Sequence, residues 1–162
     1  MYDTLFLDRD GVINKKLEGG YVTNFNEFVF IKNSDLAIRK LHEIFKRILI
    51  VTNQQGIGKG IMTENDLNLL HQQMQRKLNP DYDLIAKIYF CPCLEEENCN
   101  CRKPKTGMLE NAKLDFPQID VANSFLVGDS NSDIVAGNFF GLRTIKVTSD
   151  FTLNDWLETI SY

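Results

Sequence analysis

Two aspartates separated by one residue directly follow the first apolar run of the chain. Residues 5–7 have strand-like composition, and Asp8, Asp10 and Gly11 come immediately after them. Side chains two positions apart at a strand end point to the same face, and a glycine allows a sharp turn there. Two adjacent carboxylates repel each other unless a cation or a shared proton lies between them. The pattern therefore predicts a metal site or a shifted pKa, with a simple strand-capping turn as the alternative.

Two later apolar runs also end in polar side chains. Thr52 and Asn53 follow residues 48–51, and a hydroxyl with neighbouring backbone N–H groups can bind phosphate oxygens. Thr-Asn is also an ordinary way to end a strand. Asp129 ends the run that begins at Phe125, where an acid is hard to explain without a cation, whereas Asp133 has the alternative of a helix-start acid. These positions predict a polar cluster that includes Asp129.

A basic loop supplies the cations that such a cluster needs. Arg102, Lys103 and Lys105 surround Pro104, which holds the segment extended or turned. A solvated surface charge run is the alternative interpretation. If the loop lies at the strand ends, its cations are candidates for binding a phosphate.

Candidate strands and helices alternate along the chain. Strand-like runs occupy residues 5–7, 48–53, 85–90, 125–128 and 144–147; helix-like segments occupy 34–45, 63–78, 107–115, 131–140 and 153–160. Ser34 and Thr63 are candidate helix caps. The alternation predicts an α/β, Rossmann-like three-layer fold with a central parallel sheet. Ligands of such sheets bind at the carboxyl ends of the strands, where Asp8, Asp10, Thr52 and Asp129 fall.

The length and charge of the chain exclude several classes of protein. We expect residues 1–162 to form a single domain, because no linker, repeat or low-complexity stretch divides them. The formal net charge of −4 argues against a nucleic-acid-binding groove. No apolar run approaches the roughly 20 residues of a membrane span. We expect the protein to lie in the cytoplasm, because the chain begins with no apolar signal segment. We also expect it to be a monomer that acts on a small molecule.

All four cysteines fall within eleven residues. Cys91 and Cys93 precede a short acidic spacer, and Cys99 and Cys101 follow it. Four thiolates could hold one structural zinc ion in a tetrahedron. Two disulfides or four buried thiols are the alternatives, although disulfides rarely persist in the cytoplasm. The two histidines, His42 and His71, lie in helix-like stretches and are not expected to be ligands.

In chain order, these segments resemble the four motifs of the haloacid dehalogenase superfamily of phosphotransferases. The resemblance implies that Asp8 is a nucleophile that forms an aspartyl-phosphate and that Asp10 is the general acid and base. It also implies that Asp8, Asp129 and the backbone carbonyl of Asp10 hold Mg²⁺. Thr52, Asn53 and Lys103 would bind the transferring phosphate. No cap domain is expected, because the intervals between the motifs hold about one helix each.

Within the superfamily, six segments are similar to the D-glycero-D-manno-heptose 1,7-bisphosphate phosphatases: residues 8–14, 20–22, 51–57, 91–93, 99–104 and 107–109. This resemblance implies the zinc site and a sugar bisphosphate as the substrate. It also implies substrate contacts from Arg102, Gly20, Tyr21, Gln54 and Ser130. The related histidinol-phosphate phosphatases are an alternative, since the spacer between Cys93 and Cys99 is short. An inactive module that only binds phosphorylated ligands is the alternative from a different class.

Overall fold

A five-stranded parallel sheet forms the centre of the protein. The computed structural model describes residues 1–160, and the last two residues of the predicted domain, 161 and 162, lie outside the described residues. The strands are β1 (Tyr2–Leu7), β2 (Phe45–Asn53), β3 (Ile85–Cys91), β4 (Phe125–Gly128) and β5 (Arg143–Lys146). Their order in the sheet is β3-β2-β1-β4-β5. The prediction of a central parallel sheet is therefore confirmed.

Six α-helices connect or follow the strands. They are α1 (Ser34–Ile44), α2 (Gln55–Gly58), α3 (Glu64–Leu78), α4 (Gly107–Asp115), α5 (Asn131–Phe140) and α6 (Leu153–Thr159). Five of them match the predicted segments, and the single-turn helix α2 lies where a loop was expected. None of the helices in residues 1–160 is both long enough and apolar enough to cross a membrane.

The two candidate helix caps behave differently. Thr63 caps α3 as predicted, because its hydroxyl accepts a hydrogen bond from the backbone N–H of Asp66 at 3.1 Å. The prediction for Ser34 is wrong: α1 is preceded by Asn33 in a left-handed conformation, with φ of 62°. The Ser34 hydroxyl instead donates to the carbonyl of Ile13 at 2.6 Å. Ser34 thereby fixes the start of α1 to the turn that follows β1.

The central strand β1 is buried on both faces of the sheet. Leu5 and Leu7 pack into one apolar cluster with α1, α3 and α6. Phe6 points to the opposite face and packs into a second cluster with residues of α4 and α5. Successive strand side chains alternate between faces, so a continuous apolar run suits a strand that is covered on both sides. The result is the predicted arrangement of helix, sheet and helix layers.

The register of the sheet brings the candidate site residues together. Leu7 of β1 pairs with Ile50 of β2 and with Val127 of β4. Because all three strands run in the same direction, Asp8, Thr52 and Asp129 emerge at the same edge of the sheet. The segment between β1 and α1 carries only a 3₁₀ turn, Phe25–Glu27, and isolated bridges. It forms a loop beside this edge, in agreement with the expected minimal cap.

Candidate active site

Asp8 lies at the tip of β1 among other charged groups. Its Oδ1 is 3.1 Å from the Nζ of Lys103, and its side chain is 11% exposed. Burial raises the pKa of Asp8 to about 7; the Lys103 ammonium acts in the opposite direction, while Asp133, Asp10 and Asp129 add to the rise. A further cation beside Asp8 would therefore be needed to keep this carboxylate fully ionised at neutral pH.

Lys103 is buried between two carboxylates. Its Nζ donates to Asp133 as well as to Asp8, and it also donates to the carbonyl of Val51 at 2.8 Å. Burial alone would lower the pKa of Lys103, but the two carboxylates raise it above its ordinary value. The ammonium is therefore a fixed positive charge. The structure places Lys103 at the site, whereas Lys105 is bound to the carbonyl and side chain of Asn98.

Asp133 joins the lysine to the start of α5. It is completely buried, and its Oδ2 accepts hydrogen bonds from the backbone N–H and the hydroxyl of Ser130 at 3.1 and 2.8 Å. Ser130 is the N-cap residue of α5 and its hydroxyl donates to Asp133, while its predicted contact with the substrate remains a prediction. A Cβ on Gly128 would lie 2.2 Å from that of Asp133. A glycine is thus needed where β4 passes this carboxylate.

Asp10 lies in the turn after β1 and is held by three side chains. Arg9 donates to both of its carboxylate oxygens at 2.9 and 3.1 Å, and Asn14 and Gln54 donate at 2.9 Å each. Burial would raise the pKa of Asp10, but the Arg9 charge and the hydrogen bonds hold it below its ordinary value. Asp10 is therefore a carboxylate in this arrangement and is ready to accept a proton.

Arg9 is completely buried and binds a helix residue behind Asp10. Its Nη1 lies 3.1 Å from the Nε2 of His71 in α3. Burial, reinforced by the Arg9 charge, lowers the pKa of His71 to about 3. The imidazole is thus neutral, and its Nε2 accepts the hydrogen bond from Arg9. The sequence analysis gave Arg9 and Asn14 no role, because neither their burial nor their partners can be read from the motif.

Three neighbouring polar residues at the end of β2 organise the site. The buried Thr52 hydroxyl accepts from the Gln54 amide at 2.9 Å, and the same amide donates to Asp10. Asn53 donates to the carbonyl of Lys103 at 3.2 Å and accepts from its backbone N–H at 3.1 Å. The side chains of Asn53 and Gln54 bind protein groups in this structure, and their predicted contacts with phosphate and substrate remain predictions. Asn53 fixes the loop that delivers Lys103.

Asp129 offers an oxygen that suits a metal ion. Its Oδ2 lies 2.6 Å from the Nζ of Lys16, while its Oδ1 is buried and has no hydrogen-bond partner within residues 1–160. Carboxylate oxygens of Asp8, Asp129 and Asp133 all lie within 4.8 Å of one another. Hard divalent cations prefer such oxygen ligands. Both oxygens of Asp133 are occupied, one by Lys103 and the other by Ser130, so Asp8 and Asp129 are the carboxylates that fit Mg²⁺.

Gly11 makes room for Asp129. It has a φ of 86°, which favours glycine, and a Cβ at this position would lie 2.2 Å from the Oδ2 of Asp129. The Gly11 backbone therefore lies directly against the Asp129 side chain, and any larger residue at position 11 would collide with that carboxylate. This approach places the Asp129 carboxylate next to the residues that follow β1.

A cavity of about 210 Å³ opens beside Asp10. Gln54 lines it on the sheet side, and Lys16, Gly20 and Tyr21 line it from the loop after β1. Gly20 and Tyr21 thus lie where the predicted substrate contacts require. Lys16 was not among the predicted site residues, although it follows Asp10 by only six positions in the sequence.

Arg102 carries an unpaired group next to Lys103. Its Nη1 is buried and has no hydrogen-bond partner in the part of the chain that the structure describes. A buried guanidinium N–H without a partner is costly unless a ligand binds it. An anionic ligand would satisfy this group through a charge-assisted hydrogen bond. Its predicted role in substrate binding remains a prediction.

The cysteines lie together at the end of β3 and in the loop before Arg102. The structure pairs them as disulfides, Cys91 with Cys101 and Cys93 with Cys99, which is one of the alternatives to the predicted zinc site. The sulfurs of Cys93 and Cys101 are 3.9 Å apart. Sulfurs bound to one tetrahedral zinc lie about 3.8 Å apart, given Zn–S bonds of roughly 2.3 Å. The sulfurs of Cys91, Cys93 and Cys101 all lie within 4.8 Å of one another, so these three are already close to the spacing of zinc ligands. Cys99 is near only Cys93 in this arrangement and would have to move closer to complete a four-thiolate site.

Comparisons with known proteins agree with these motifs. A hydrolase-like family model, described as HAD-hydrolase-like, matches residues 100–162. The chain is 39% identical over 130 residues to the D-glycero-alpha-D-manno-heptose-1,7-bisphosphate 7-phosphatase of Mycobacterium bovis, covering 80% of this chain and 68% of the relative. It is 37% identical over 147 residues to the D-glycero-beta-D-manno-heptose-1,7-bisphosphate 7-phosphatase of Haemophilus ducreyi. That match covers 86% of this chain and 79% of the relative.

A solved structure shares the fold. The D,D-heptose 1,7-bisphosphate phosphatase from B. bronchiseptica, crystallised with magnesium and phosphate, superposes with a TM-score of 0.80. It is 30% identical in sequence, and the match covers 88% of this chain and 78% of that chain. The similarity therefore extends over most of the chain.

Proposed function

Because the chain belongs to the D-glycero-D-manno-heptose-1,7-bisphosphate 7-phosphatase family of haloacid dehalogenase-like phosphatases, we propose that it removes the 7-phosphate of this sugar bisphosphate. The observation that carries the proposal is the position of Asp8, between the Lys103 ammonium and the unpaired oxygen of Asp129. A carboxylate so placed can attack a phosphorus atom whose negative charge would be offset by Lys103 on one side and by a cation held at Asp129 on the other.

Asp8 and Asp129, together with the backbone carbonyl of Asp10, would hold Mg²⁺. The bound ion would offset the negative charge of the phosphate and keep Asp8 ionised at neutral pH, where burial otherwise favours its protonated form. Lys103 supplies the other positive charge. Thr52 lies beside Asp10, because the Gln54 amide donates to the side chains of both residues. We propose that Thr52, Lys103 and the backbone of Asn53 bind the transferring oxygens.

The reaction has two halves that use the same two aspartates. An Asp8 oxygen attacks phosphorus, the bond from phosphorus to the sugar oxygen breaks, and Asp10 donates a proton to that oxygen. Asp10 then takes a proton from a water molecule, which attacks the aspartyl-phosphate and releases inorganic phosphate and free Asp8. The depressed pKa of Asp10 keeps this carboxylate ionised, so that it can accept a proton in the second half. The first half requires the phosphate dianion to raise that pKa as the substrate enters.

Phosphate release from a panel of esters tests the proposed substrate. With Mg²⁺, we expect kcat/KM for heptose 1,7-bisphosphate to exceed that for histidinol phosphate and generic monophosphates by roughly tenfold or more, since its extra phosphate adds charged contacts. A metal chelator should stop all turnover, and excess Mg²⁺ should restore it. A preference for histidinol phosphate would overturn the sugar assignment but leave the phosphatase chemistry standing.

We also propose that the cysteine cluster holds one structural zinc ion in a reducing compartment. The ligands would be Cys91, Cys93, Cys99 and Cys101, and such a closed shell leaves no position for water or substrate. The ion would fix the loop that carries Lys103.

For protein purified under reducing conditions without chelator, we expect elemental analysis to find about one zinc per chain. Removal of the zinc should lower both activity and the thermal midpoint, even with Mg²⁺ in excess. A matched sample that contains no zinc and yields no free thiols on denaturation would instead establish the two disulfides.

A further inference from the structure

Lys16 lies at the junction of two cavities. It lines the cavity of about 210 Å³ beside Asp10, and it also lines a larger one of about 810 Å³ that reaches the residues after β5. Lys15 and Lys32 line the larger cavity. Lys16 is therefore a cation that lines the cavity beside the general acid and base, whereas Arg9 contacts the Asp10 carboxylate directly.

The smaller cavity is where the departing sugar must lie. Asp10 protonates the sugar oxygen in the proposed reaction, so the sugar has to occupy the space beside the Asp10 carboxylate. The described residues that line this space include Lys16 but not Arg102. A bisphosphate brings a second phosphate into the same region with its sugar. Lys16 is thus the available partner for a dianion that Asp10 alone would repel.

Lys16 is paired with Asp129, a carboxylate that the metal ion would also bind. Its Nζ lies 2.6 Å from the Oδ2 of Asp129, and its side chain is 52% exposed. A divalent ion bound to Asp129 places a stronger positive charge beside the same carboxylate and repels the ammonium. Lys16 belongs to an exposed stretch that includes Gly19 and Gly20, so its long side chain has room to turn. Asp129 and a substrate phosphate can therefore be alternative partners of one lysine.

We propose that Lys16 exchanges partners during the catalytic cycle: it pairs with Asp129 in the free protein and binds the phosphate that stays on the sugar when metal and substrate are present. This inference rests on the proposed function and extends it by naming the residue that selects a bisphosphate. Lys16 would then determine specificity without taking part in bond breaking.

Two lysine variants and two substrates test the exchange. In Lys16→Ala, with saturating Mg²⁺, we expect KM for heptose 1,7-bisphosphate to rise about 10- to 100-fold with kcat nearly unchanged, as for loss of one charge-assisted contact. For heptose 7-phosphate, which lacks the second phosphate, kcat/KM should fall no more than about threefold. Lys15→Ala removes a neighbouring exposed cation and should change neither value. Without substrate, Lys16→Ala should bind Mg²⁺ more tightly, because Asp129 loses a competing cation.

Each contrary outcome has a distinct meaning. Equal losses of Lys16→Ala on both substrates would show that Lys16 stays with Asp129 and would overturn the exchange. If Arg102→Ala lowered kcat/KM for the bisphosphate alone and Lys16→Ala did not change it, Arg102 would be the residue that binds the second phosphate. This result would also overturn the exchange. If wild-type protein hydrolyses heptose 1,7-bisphosphate while Lys16→Ala matches it, only this inference fails. If wild-type protein does not hydrolyse it, the proposed function and this inference fail together.

Discussion

Replacement of Asp8 by asparagine should abolish turnover while leaving the protein folded. An amide cannot attack phosphorus, and the substitution removes one of the two carboxylates that fit Mg²⁺. We expect kcat to fall by on the order of 10⁵-fold or more, as for removal of other enzymatic nucleophiles. Stability should be unchanged or higher, because Asp8 lies among Asp10, Asp129 and Asp133, and Lys103 keeps Asp133 as its partner.

Phosphate release and the thermal midpoint, measured on the same preparation, test both parts. Asp81→Asn, which removes an exposed carboxylate far along the chain from the motifs, is the matched control and should behave as wild type. Mass spectrometry must exclude deamidation of the introduced asparagine back to aspartate. Appreciable steady-state turnover by intact Asp8→Asn would rule out an aspartyl-phosphate at this residue.

Replacement of Lys103 by methionine should damage both stability and catalysis. The methionine fills a similar volume but leaves the buried carboxylates of Asp8 and Asp133 without their shared cation. Breaking a buried ion pair in this way costs about 3–5 kcal/mol of unfolding free energy. Loss of the charge that faces the transferring phosphate should also lower kcat by roughly 10²- to 10³-fold.

Lys105→Met is the control for this prediction, because it removes a lysine two positions away whose ammonium donates to the carbonyl and side chain of Asn98. Denaturant unfolding and phosphate release should both remain close to wild type in this variant. The double variant Lys103→Met with Asp133→Asn should recover part of the lost stability, since it removes one of the two unpaired charges. A fully active Lys103→Met enzyme, or greater damage from Lys105→Met, would reverse the roles of the two lysines.

Much of the fold could be predicted because its signals are local. The run at residues 125–128 is a continuous apolar strand, and Thr63 with Asp66 forms a helix start within four residues. Sequence periodicity could not reveal that Ser34 bonds to Ile13, because that contact depends on how α1 docks against a turn 21 positions earlier. The prediction of its role failed for this reason.

The site shows the same division between local and distant determinants. Asp8, Asp10 and Asp129 could be identified because acids at strand ends are unusual wherever they occur. The partner of Asn53 could not, since its amide meets the Lys103 backbone 50 positions later in the chain. Arg9 likewise gains its partner, His71, from 62 positions away. The predicted zinc site and the two disulfides involve the same four cysteines. Residue spacing does not encode the oxidation state of these cysteines, so the sequence could not decide between the two.

The position of β1 at the middle of the sheet has a consequence for the order in which this enzyme can be made. Its neighbour β2 is the next strand along the chain, but its other neighbour, β4, comes much later, and the Thr4 N–H donates to the Ser124 hydroxyl across 120 positions. A nascent chain that already contains Asp8, Thr52 and Lys103 still lacks Asp129 and Asp133. Closing such a long loop is entropically costly before the strands pair. Activity therefore requires that β4 has been added to the sheet. A growing chain cannot hydrolyse phosphate esters before β4 has left the ribosome.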